Sequence, residues 1–245
     1  MQDPRLSIKQ QELPFVRDMF DNIAPRYDFL NRLLSLRRDV FWRRVLVGAL
    51  DLDAGARVLD VACGTCDVGL EIEKRRAPGV SVAAVDFSTR MLMLAKPKIS
   101  GHGRPPTIRL AAADAFDLPF APRSFDTVTM AFGIRNIQNK RGVLEALNDA
   151  IKPGGRLAIL ELTTPETGLL RSAYLGYFNR LLPLLGRLFS KHHFAYTYLP
   201  DSVAHFPPAA DFAALIRDAG FERVRYRHLT LGAAAVFVGD KPRGR

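Results

Sequence analysis

The chain has 245 residues, of which 48% are hydrophobic, and this is enough apolar material for one large buried core. We therefore predict a single domain over residues 1–245 and exclude a disordered chain. No stretch approaches the roughly 20 apolar residues of a membrane-spanning helix, and the first residues lack the apolar core of a signal peptide. A cytoplasmic location is the expectation.

The formal net charge of +10 fits nucleic acid, an anionic membrane surface or no particular partner, and charge alone does not choose among them. The charge is dispersed along the chain, mainly as arginine. The two cysteines, Cys63 and Cys66, are too few for a disulfide framework and have no second pair to complete a zinc site.

From residue 57 onward, strand and helix patterns alternate as in βαβ units on a mainly parallel sheet. Pro153 and the two glycines after it predict a turn that separates a helix from the next strand. Gly232, between the last two strands, predicts a hairpin. The predicted elements are strand 57–62, helix 67–76, strand 81–86, a helix from about 88, strands 107–112 and 125–132, helix 140–150, strand 156–162, helix 209–218, and strands 222–229 and 233–239.

Two regions do not follow the alternation. Residues 1–50 predict two or three amphipathic helices, broken at Pro25, that form an N-terminal cap. Residues 165–207 have no strand pattern and predict a lid or substrate-binding insertion. An apolar stripe within 167–190 is compatible with packing on the core or with an exposed surface for a lipidic substrate or a membrane.

The segment VLDVACGTC at 58–66 runs from an apolar strand through a tight loop into a helix, an arrangement in which backbone amides can approach a ligand at Gly64. A second apolar strand ends in Asp86, where a carboxylate can accept hydrogen bonds from both hydroxyls of a ribose. Two other interpretations stay open at this point: a redox pair formed by Cys63 and Cys66, and a turn that binds nothing.

Further motifs extend this pattern along almost the whole chain: FDNIAPRYDFLN at 20–31, ADAFDLPF at 113–120, AFGIRN at 131–136, KPGGRLAILEL at 152–162 and AYTYLPDSVAHFP at 195–207. Together with the loop at 58–66, they resemble class I S-adenosylmethionine-dependent methyltransferases. More narrowly, the chain resembles the quinone-biosynthesis C-methyltransferases, which act on demethylmenaquinol and on polyprenyl benzoquinols.

The resemblance implies an α/β, Rossmann-like fold with a seven-stranded, mainly parallel sheet, helices on both faces and an antiparallel last strand. It implies a core for S-adenosylmethionine over 57–162, a helical lid over 165–207 and a C-terminal helix and strand pair over 208–240. The implied activity is C-methylation of a prenylated quinol in menaquinone or ubiquinone biosynthesis, with S-adenosylmethionine as methyl donor and no metal.

The resemblance also implies roles for individual residues in donor binding. Cys66 stands where the family has glycine, so we expect its side chain to narrow the space for the amino acid end of the donor. Ala131 stands where many relatives have serine, so we expect it to lack a hydroxyl contact. The remaining expected contacts are Asp60 ordering the loop, Gly64 and Thr65 at the methionine portion, Asp86 at the ribose, and Asp114 with Ala115 at the adenine.

For catalysis, the ring carbon becomes nucleophilic when an ortho hydroxyl ionises, so a cation near that oxygen favours the reaction. We assign this role to Arg135, with Asn136 orienting the substrate and Asp28 as the candidate base. The alternative for Arg135 and Asn136 is a helix cap with a structural ion pair. His192, His193 and His205 are alternative bases. The residues assigned to the substrate are Tyr27, Tyr174, Phe178, His193 and Tyr196.

The expected partners are a prenylated quinol and, transiently, the inner face of the cytoplasmic membrane or other quinone-pathway enzymes; a homodimer is left open and no nucleic acid is expected. A nucleic-acid methyltransferase is the main enzymatic alternative, although AFGIRN replaces the Asn/Asp/Ser-Pro-Pro-aromatic motif typical of its amino-methylating members. The loop lacks the G-x-G-x-x-G pattern of a nicotinamide oxidoreductase. A non-catalytic scaffold with the same fold is the third alternative.

Overall fold

A computed structural model describes residues 23–75, 78–100, 107–165 and 194–244, with the backbone alone at 194–198, and the isolated positions 17, 20, 21, 168, 171, 172 and 176. The described residues form one seven-stranded sheet in the order β3-β2-β1-β4-β5-β7-β6. The strands are β1 (Arg57–Val61), β2 (Ser81–Asp86), β3 (Ile108–Ala112), β4 (Phe125–Ala131), β5 (Ile151–Leu162), β6 (Glu222–Leu229) and β7 (Ala234–Asp240).

Strands β1 to β5 are parallel, and β7 pairs antiparallel with both β5 and β6. The helices are α1 (Tyr27–Leu34), α2 (Arg38–Gly48), α3 (Asp67–Lys74), α4 (Thr89–Ser100), α5 (Lys140–Ala150), α6 (Phe194–Ala204) and α7 (Ala209–Asp218). Short 3₁₀ turns lie at Ala24–Arg26, Ile134–Asn136 and Thr230–Gly232. This confirms the predicted fold class.

Helices cover both faces of the sheet, and the strand sequences show why. Along β1, Val58 packs into the apolar cluster that includes α2 and α3, whereas Leu59 and Val61 pack into the cluster that includes α5 and α7. A parallel strand buried on both faces is a nearly continuous apolar run, as β1 is. Within this run, Asp60 is the polar exception, with 1% of its surface exposed.

The predicted turn before β5 is part of a bulge inside that strand. Ile151 already pairs with Phe125, and pairing resumes three residues out of step, at Arg156 with Thr127. Gly154 takes up the extra length with a φ of +81°, which a residue with a side chain adopts at a cost. Strand β5 therefore begins at Ile151, earlier than the predicted 156.

The predicted hairpin at the C-terminus is confirmed, since β6 and β7 pair antiparallel around Thr230–Gly232. At Gly232, φ is +92°, and an added Cβ would lie 3.2 Å from the Cα of Pro165. Pro25 lies within the 3₁₀ turn Ala24–Arg26, which precedes the first of the helices α1 and α2, as predicted for the N-terminal region.

Most of the predicted insertion at 165–207 lies outside the described residues, so its role as a lid stays a prediction. Its described end forms α6. Of the helices in the described residues, none combines the length and the apolar character needed to cross a bilayer.

The strand order locates a ligand crevice. The chain proceeds from β1 to β2 and β3 on one side and to β4 and β5 on the other, so the order reverses between β1 and β4. In open α/β sheets, ligands bind at the carboxyl ends of the strands at this reversal. The crevice is therefore expected between the loops that follow β1 and β4.

Candidate active site

A cleft lies at this position, between the loop after β1 and the end of β4. We refer to residues 62–66 as the β1 loop and to residues 132–136 as the β4 loop. Side chains from α1 and α2 cover the cleft on the N-terminal side. The cleft is lined by Tyr27, Arg43, Asp60, Ala62, Cys63, Gly64, Thr65, Asp67, Val68 and Ala131.

The β1 loop turns through three residues with positive φ: Ala62 at 53°, Gly64 at 55° and Cys66 at 66°. Left-handed backbone costs roughly 1 kcal/mol for a residue with a Cβ and little for glycine. Because Ala62 and Cys66 both have a Cβ and adopt this conformation, contacts with the surrounding residues must stabilise the tight turn. The turn brings Gly64 to the ring of Tyr27, whose Cε1 lies 3.7 Å from where a Cβ on Gly64 would be.

Asp86, at the end of β2, holds this loop in place. Its Oδ2 accepts a 2.7 Å hydrogen bond from the Gly64 N–H, and its Oδ1 accepts a 2.8 Å bond from the Ser88 N–H. Burial raises the pKa of Asp86 from 3.8 to about 6, and the two backbone N–H groups oppose that shift. A carboxylate has about four acceptor positions, so Asp86 retains two for ribose hydroxyls and fits the expected role.

Asp60 is more deeply buried than Asp86, and its expected role in ordering the β1 loop stays a prediction. Its Oδ1 accepts a 2.8 Å bond from Thr129 Oγ1 on β4, so this contact ties β1 to β4 and does not reach the β1 loop. Its Oδ2 is buried without a hydrogen-bond partner among the described residues. Burial raises the pKa of Asp60 to about 7; Thr129 opposes the shift and the Asp86 carboxylate adds to it.

Thr65 connects the β1 loop to the N-terminal helices. Its hydroxyl donates a 2.6 Å hydrogen bond to Asp28 Oδ1 on α1 and accepts a 3.1 Å bond from Lys98 Nζ on α4. Lys98 also lies 2.9 Å from Asp28 Oδ2 and contacts Asp67 on α3. The structure thus brings Asp28 and Thr65 together, as part of a network with Lys98 that the sequence did not indicate. For Asp28 to act as a base, its ion pair with Lys98 must open.

Arg43, on α2, is a buried cation that sequence reasoning also missed. Its Nη1 donates to Asp39 Oδ2 at 2.6 Å, with Asp67 Oδ2 at 3.6 Å. Its guanidinium lies 5.3 Å from the centre of the Phe132 ring. Burial opposes its charge, but Asp67 and Asp39 outweigh burial and raise the pKa of Arg43. The sequence offered one sign that Arg43 is buried: it follows Trp42, which is itself only 4% exposed.

Tyr27 places a phenol in the cleft, as expected of a residue that closes the site. Burial raises the pKa of Tyr27, opposed first by a hydrogen bond with Asn31 and then by the positive charges of Arg135 and Arg43. Its ring packs edge-on against Phe20, with the centroids 6.1 Å apart. The expected substrate residue therefore lies in the cleft, within the field of two arginines.

The residues expected at the adenine lie one strand further out. Asp114 follows β3, where its Oδ1 caps the Phe116 N–H at 2.9 Å. Ala115 is half-buried and packs on the apolar core. Ala131 lines the cleft at the end of β4. Since β3 lies beside β2, this places Asp114 and Ala115 on the β3 side of Asp86, and Ala131 on the opposite side.

Arg135 is held in a buried ion pair. Its Nη1 donates to Glu161 Oε1 at 2.8 Å and to the Phe132 carbonyl at 2.6 Å, and its backbone N–H donates to Glu161 Oε2 at 3.1 Å. The two side chains are 8% and 0% exposed. Asn136 Nδ2 also reaches the Phe132 carbonyl, at 3.5 Å. Glu161 was not singled out in the sequence, because an acidic residue inside an apolar strand gives no sign of its partner.

The expectation that Cys66 narrows the donor space was wrong. Its side chain is 0% exposed and packs in the core, where Sγ lies 2.7 Å from where a Cβ on Gly69 would be. The direction of the Cys63 pKa also argues against the redox interpretation. A hydrogen bond with Cys66, then burial and the nearby Asp60 and Asp86 raise the pKa of Cys63, whereas a reactive thiol pair needs a lowered one.

Several predicted residues lie outside the described part of the chain. These are Tyr174, Phe178, His192 and His193; Tyr196 lies on α6, where the backbone alone is described. The ring Nδ1 of His205, just beyond the end of α6, lies 2.7 Å from the Asp201 carbonyl in that helix. In the ranges that the structure describes, no group of three or more His, Cys, Asp or Glu side chains is arranged to hold a metal ion.

Comparison with known proteins agrees with this geometry. A profile of the ubiE/COQ5 methyltransferase family matches residues 6–241. The ubiquinone/menaquinone biosynthesis C-methyltransferase UbiE of Geotalea daltonii is 45% identical over 92% of this chain and 96% of its own length. The demethylmenaquinone methyltransferase of Thermus thermophilus is 46% identical over 91% of this chain and 100% of its own length.

Among solved structures, a SAM-dependent methyltransferase from Thermotoga maritima superposes with a TM-score of 0.64 at 20% identity, covering 91% of this chain and 99% of that one. At this identity, the likeness shows a shared fold. The family match and the two relatives confirm the methyltransferase assignment made from the sequence motifs. The chain belongs to the ubiE/COQ5 methyltransferase family.

Proposed function

We propose that this protein transfers a methyl group from S-adenosylmethionine to a ring carbon of a prenylated quinol, as in the conversion of demethylmenaquinol to menaquinol. The names of its relatives support both the C-methyl transfer and the quinone pathway. The observation that carries the proposal is the placement of the Tyr27 phenol in the cleft, where burial raises its pKa and a hydrogen bond with Asn31 and the charges of Arg135 and Arg43 oppose that rise. The same two positive charges would oppose the effect of burial on a quinol hydroxyl bound beside them.

The residues at the strand ends would hold the donor. S-adenosylmethionine, when bound, supplies an electrophilic methyl carbon on a sulfonium. Asp86 would accept from the ribose hydroxyls while keeping Gly64 in place, and Asp114 with Ala115 would meet the adenine. Thr65, held by Asp28 and Lys98, would position the β1 loop against the methionine portion.

The residues of the β4 loop would act on the acceptor. A bond forms between ring carbon and methyl, the methyl–sulfur bond breaks, and the proton on that ring carbon leaves to a base. Because a phenolic pKa near 10 leaves little anion at neutral pH, a cation beside the oxygen lowers the barrier. We assign this role to Arg135, with Asn136 orienting the ring and Asp28 as the candidate base.

The proposal is tested by incubating the purified protein with S-adenosylmethionine labelled in the methyl group and a reduced, demethylated naphthoquinol with a short prenyl tail. Label should appear on a ring carbon of the quinol. The oxidised quinone should accept none, since it cannot ionise. Label in added RNA in place of the quinol would support the nucleic-acid alternative, and donor binding without transfer to any quinol would support the scaffold alternative.

The location of the protein belongs to the same proposal. A prenylated substrate resides in a bilayer, so we propose transient contact with the inner face of the cytoplasmic membrane. The apolar stripe within 167–190 that prompted this lies mostly outside the described residues. Sedimentation with anionic vesicles tests it, and recovery of the protein in the supernatant at low salt would contradict it.

A further inference from the structure

Arg43 is the one lysine or arginine among the described residues that line the cleft, and the proposed reaction gives it no direct contact. It comes from α2, outside the segment over 57–162 that was expected to bind the donor. Asp39 fixes its Nη1 from the preceding turn of the same helix, and the Phe132 ring faces the guanidinium. The guanidinium is therefore positioned on the cleft before any ligand arrives.

Much of the hydrogen-bonding capacity of Arg43 is unused by the described residues. A guanidinium has five N–H groups, and the hydrogen bond to Asp39 uses one of them, on Nη1. Its Nε and Nη2 donate to no described side chain or carbonyl. The remaining donors fit a planar acceptor such as a carboxylate, which an arginine binds through two parallel hydrogen bonds.

Asp67 is the more distant of the two carboxylates that contact Arg43. The contact is long, at 3.6 Å, and Asp67 has a second and closer cation in Lys98. Despite burial, which raises it, Arg43 and Lys98 lower the pKa of Asp67, so this carboxylate stays charged. If Arg43 turned its free edge to a ligand, Asp67 would remain paired with Lys98.

The order of the strands shows which part of the donor would meet Arg43. Along the sheet edge, Asp114 follows β3, Asp86 ends β2, the β1 loop comes next, and Phe132 follows β4. The donor has the same linear order of groups: adenine, ribose, sulfur and amino acid. With its ribose at Asp86 and its adenine towards β3, its amino acid end extends towards β4, where Arg43 lies.

We infer that Arg43 binds the carboxylate of the donor's amino acid end and so selects ligands that carry this group. The inference rests on the proposed function, because it takes S-adenosylmethionine as the donor. It assigns to α2, an element of the N-terminal cap, a direct part in donor recognition. It also gives a physical reason for the buried ion pair with Asp39, which orients the guanidinium.

The experiment compares two ligands by calorimetry at pH 7.5: S-adenosylhomocysteine and its decarboxylated analogue, which lacks only the carboxylate. The variants are Arg43→Gln, Arg43→Lys and, as a matched control, Arg44→Gln, whose side chain is 62% exposed and lies away from the cleft. Wild type and the control should prefer S-adenosylhomocysteine by about tenfold or more. Arg43→Gln should lose this preference by binding S-adenosylhomocysteine more weakly while its affinity for the analogue changes less than about twofold.

Arg43→Lys keeps the positive charge beside Asp39 but not the paired donors, so it should retain only part of the preference. It also serves if Arg43→Gln does not fold. Equal weakening for both ligands in the Arg43 variants would overturn the inference and leave Arg43 a purely structural residue. Equal affinity of the wild type for both ligands would also overturn it, with the proposed function intact. Failure of the wild type to bind S-adenosylhomocysteine would instead overturn the proposed function.

Discussion

The two loops that border the cleft are held by charges in different surroundings. The β4 loop is held by Arg135 and Glu161, whose side chains are 8% and 0% exposed. The β1 loop is held at Gly64 by the buried Asp86, and at Thr65 by Asp28 and Lys98, whose side chains are 27% and 25% exposed. The first pair is enclosed in protein, and the second has access to water.

The difference in burial predicts a difference in behaviour. Breaking a buried pair leaves an uncompensated charge and costs about 3 to 5 kcal/mol, so the β4 loop should keep one conformation. A partly exposed pair contributes about 1 kcal/mol or less, so the β1 loop can exchange its partners when a ligand binds. In the proposed reaction, the β4 loop would be a rigid surface for the quinol, and the β1 loop would adapt to the donor.

The largest expected effect is on the side of the β4 loop. Arg135→Ala should lower turnover at saturating donor by about 10²-fold or more, because the cation beside the developing oxyanion is lost. The defect should shrink as the pH approaches the phenolic pKa, about 10, because hydroxide then supplies the quinolate. Steady-state rates between pH 7 and pH 9.5 measure both effects, with donor affinity followed separately by calorimetry.

Glu161→Gln is the matched variant for this test, because it weakens the ion pair and keeps the positive charge. It should destabilise the protein but retain more turnover per folded molecule than Arg135→Ala. If both variants lose the same activity at every pH, the pair only holds the β4 loop. The catalytic assignment would then pass to Asp28 and the histidines.

On the side of the β1 loop, Asp86→Ala should weaken binding of S-adenosylmethionine by roughly 2 to 4 kcal/mol and leave the fold intact, since hydrogen bonds to a charged acceptor are lost. The loss of the bond to the Gly64 N–H should also loosen the β1 loop. Calorimetry measures the affinity, with Asp53→Ala, an exposed aspartate outside the cleft, as the control. Unchanged affinity would remove the donor from this position.

Asp60 lies between the two loops, and its effect depends on pH. Burial raises the pKa of Asp60 from 3.8 to about 7, so the unfolded chain loses this proton at a lower pH than the folded protein. The folded protein therefore loses stability as the pH rises from about 4 to 7, and above that range the loss is complete. Asp60→Asn removes this loss. Its stability relative to wild type should increase by about 2 to 3 kcal/mol between pH 5 and pH 8. Urea unfolding at both pH values measures this, and a pH-independent difference would mean that Asp60 stays charged.

The fold was largely predictable because its signals are local. Apolar runs located the seven strands, and the bounds of six of them agree to within one residue. The start of β5 was missed because a three-residue bulge continues the pairing through a Pro-Gly-Gly segment that normally ends it. Gly64, Thr65 and Asp86 were identified for the same reason, since the motif places them beside strand ends.

The charge partners were not predictable from local pattern. Lys98 reaches Asp28 across 70 residues of sequence, and Arg135 meets Glu161 across 26. The packing of whole helices determines which charged side chains meet, and the local sequence does not show how the helices pack. Cys66 was misjudged for a related reason: a positive φ turns its side chain into the core, and the spacing of the motif alone suggests the cleft.

The smallest effect is expected for substitution of Cys66. This substitution compares the cost of left-handed backbone in the β1 loop with the stabilisation that the buried thiol provides. Cys66→Gly removes a left-handed residue with a side chain, a gain of about 1 kcal/mol, and also deletes a buried thiol, a loss of similar size. Its stability should stay within about 1 kcal/mol of wild type, and its affinity for S-adenosylmethionine should be maintained or slightly tighter, because the thiol does not face the cleft.

The neighbouring Gly69 sharpens this test through a double-mutant cycle. In wild type, the Cβ of Gly69→Ala would lie 2.7 Å from Cys66 Sγ, so overpacking should cost about 1 to 3 kcal/mol. In the Cys66→Gly background the sulfur is gone and Ile108 lies at ordinary contact distance, so the helix propensity of alanine should make the same change stabilising by up to about 1 kcal/mol. Unfolding free energies of the four proteins give the coupling. Additive effects would show that the thiol moves aside freely, and that the β1 loop is as adaptable in its packing as in its charges.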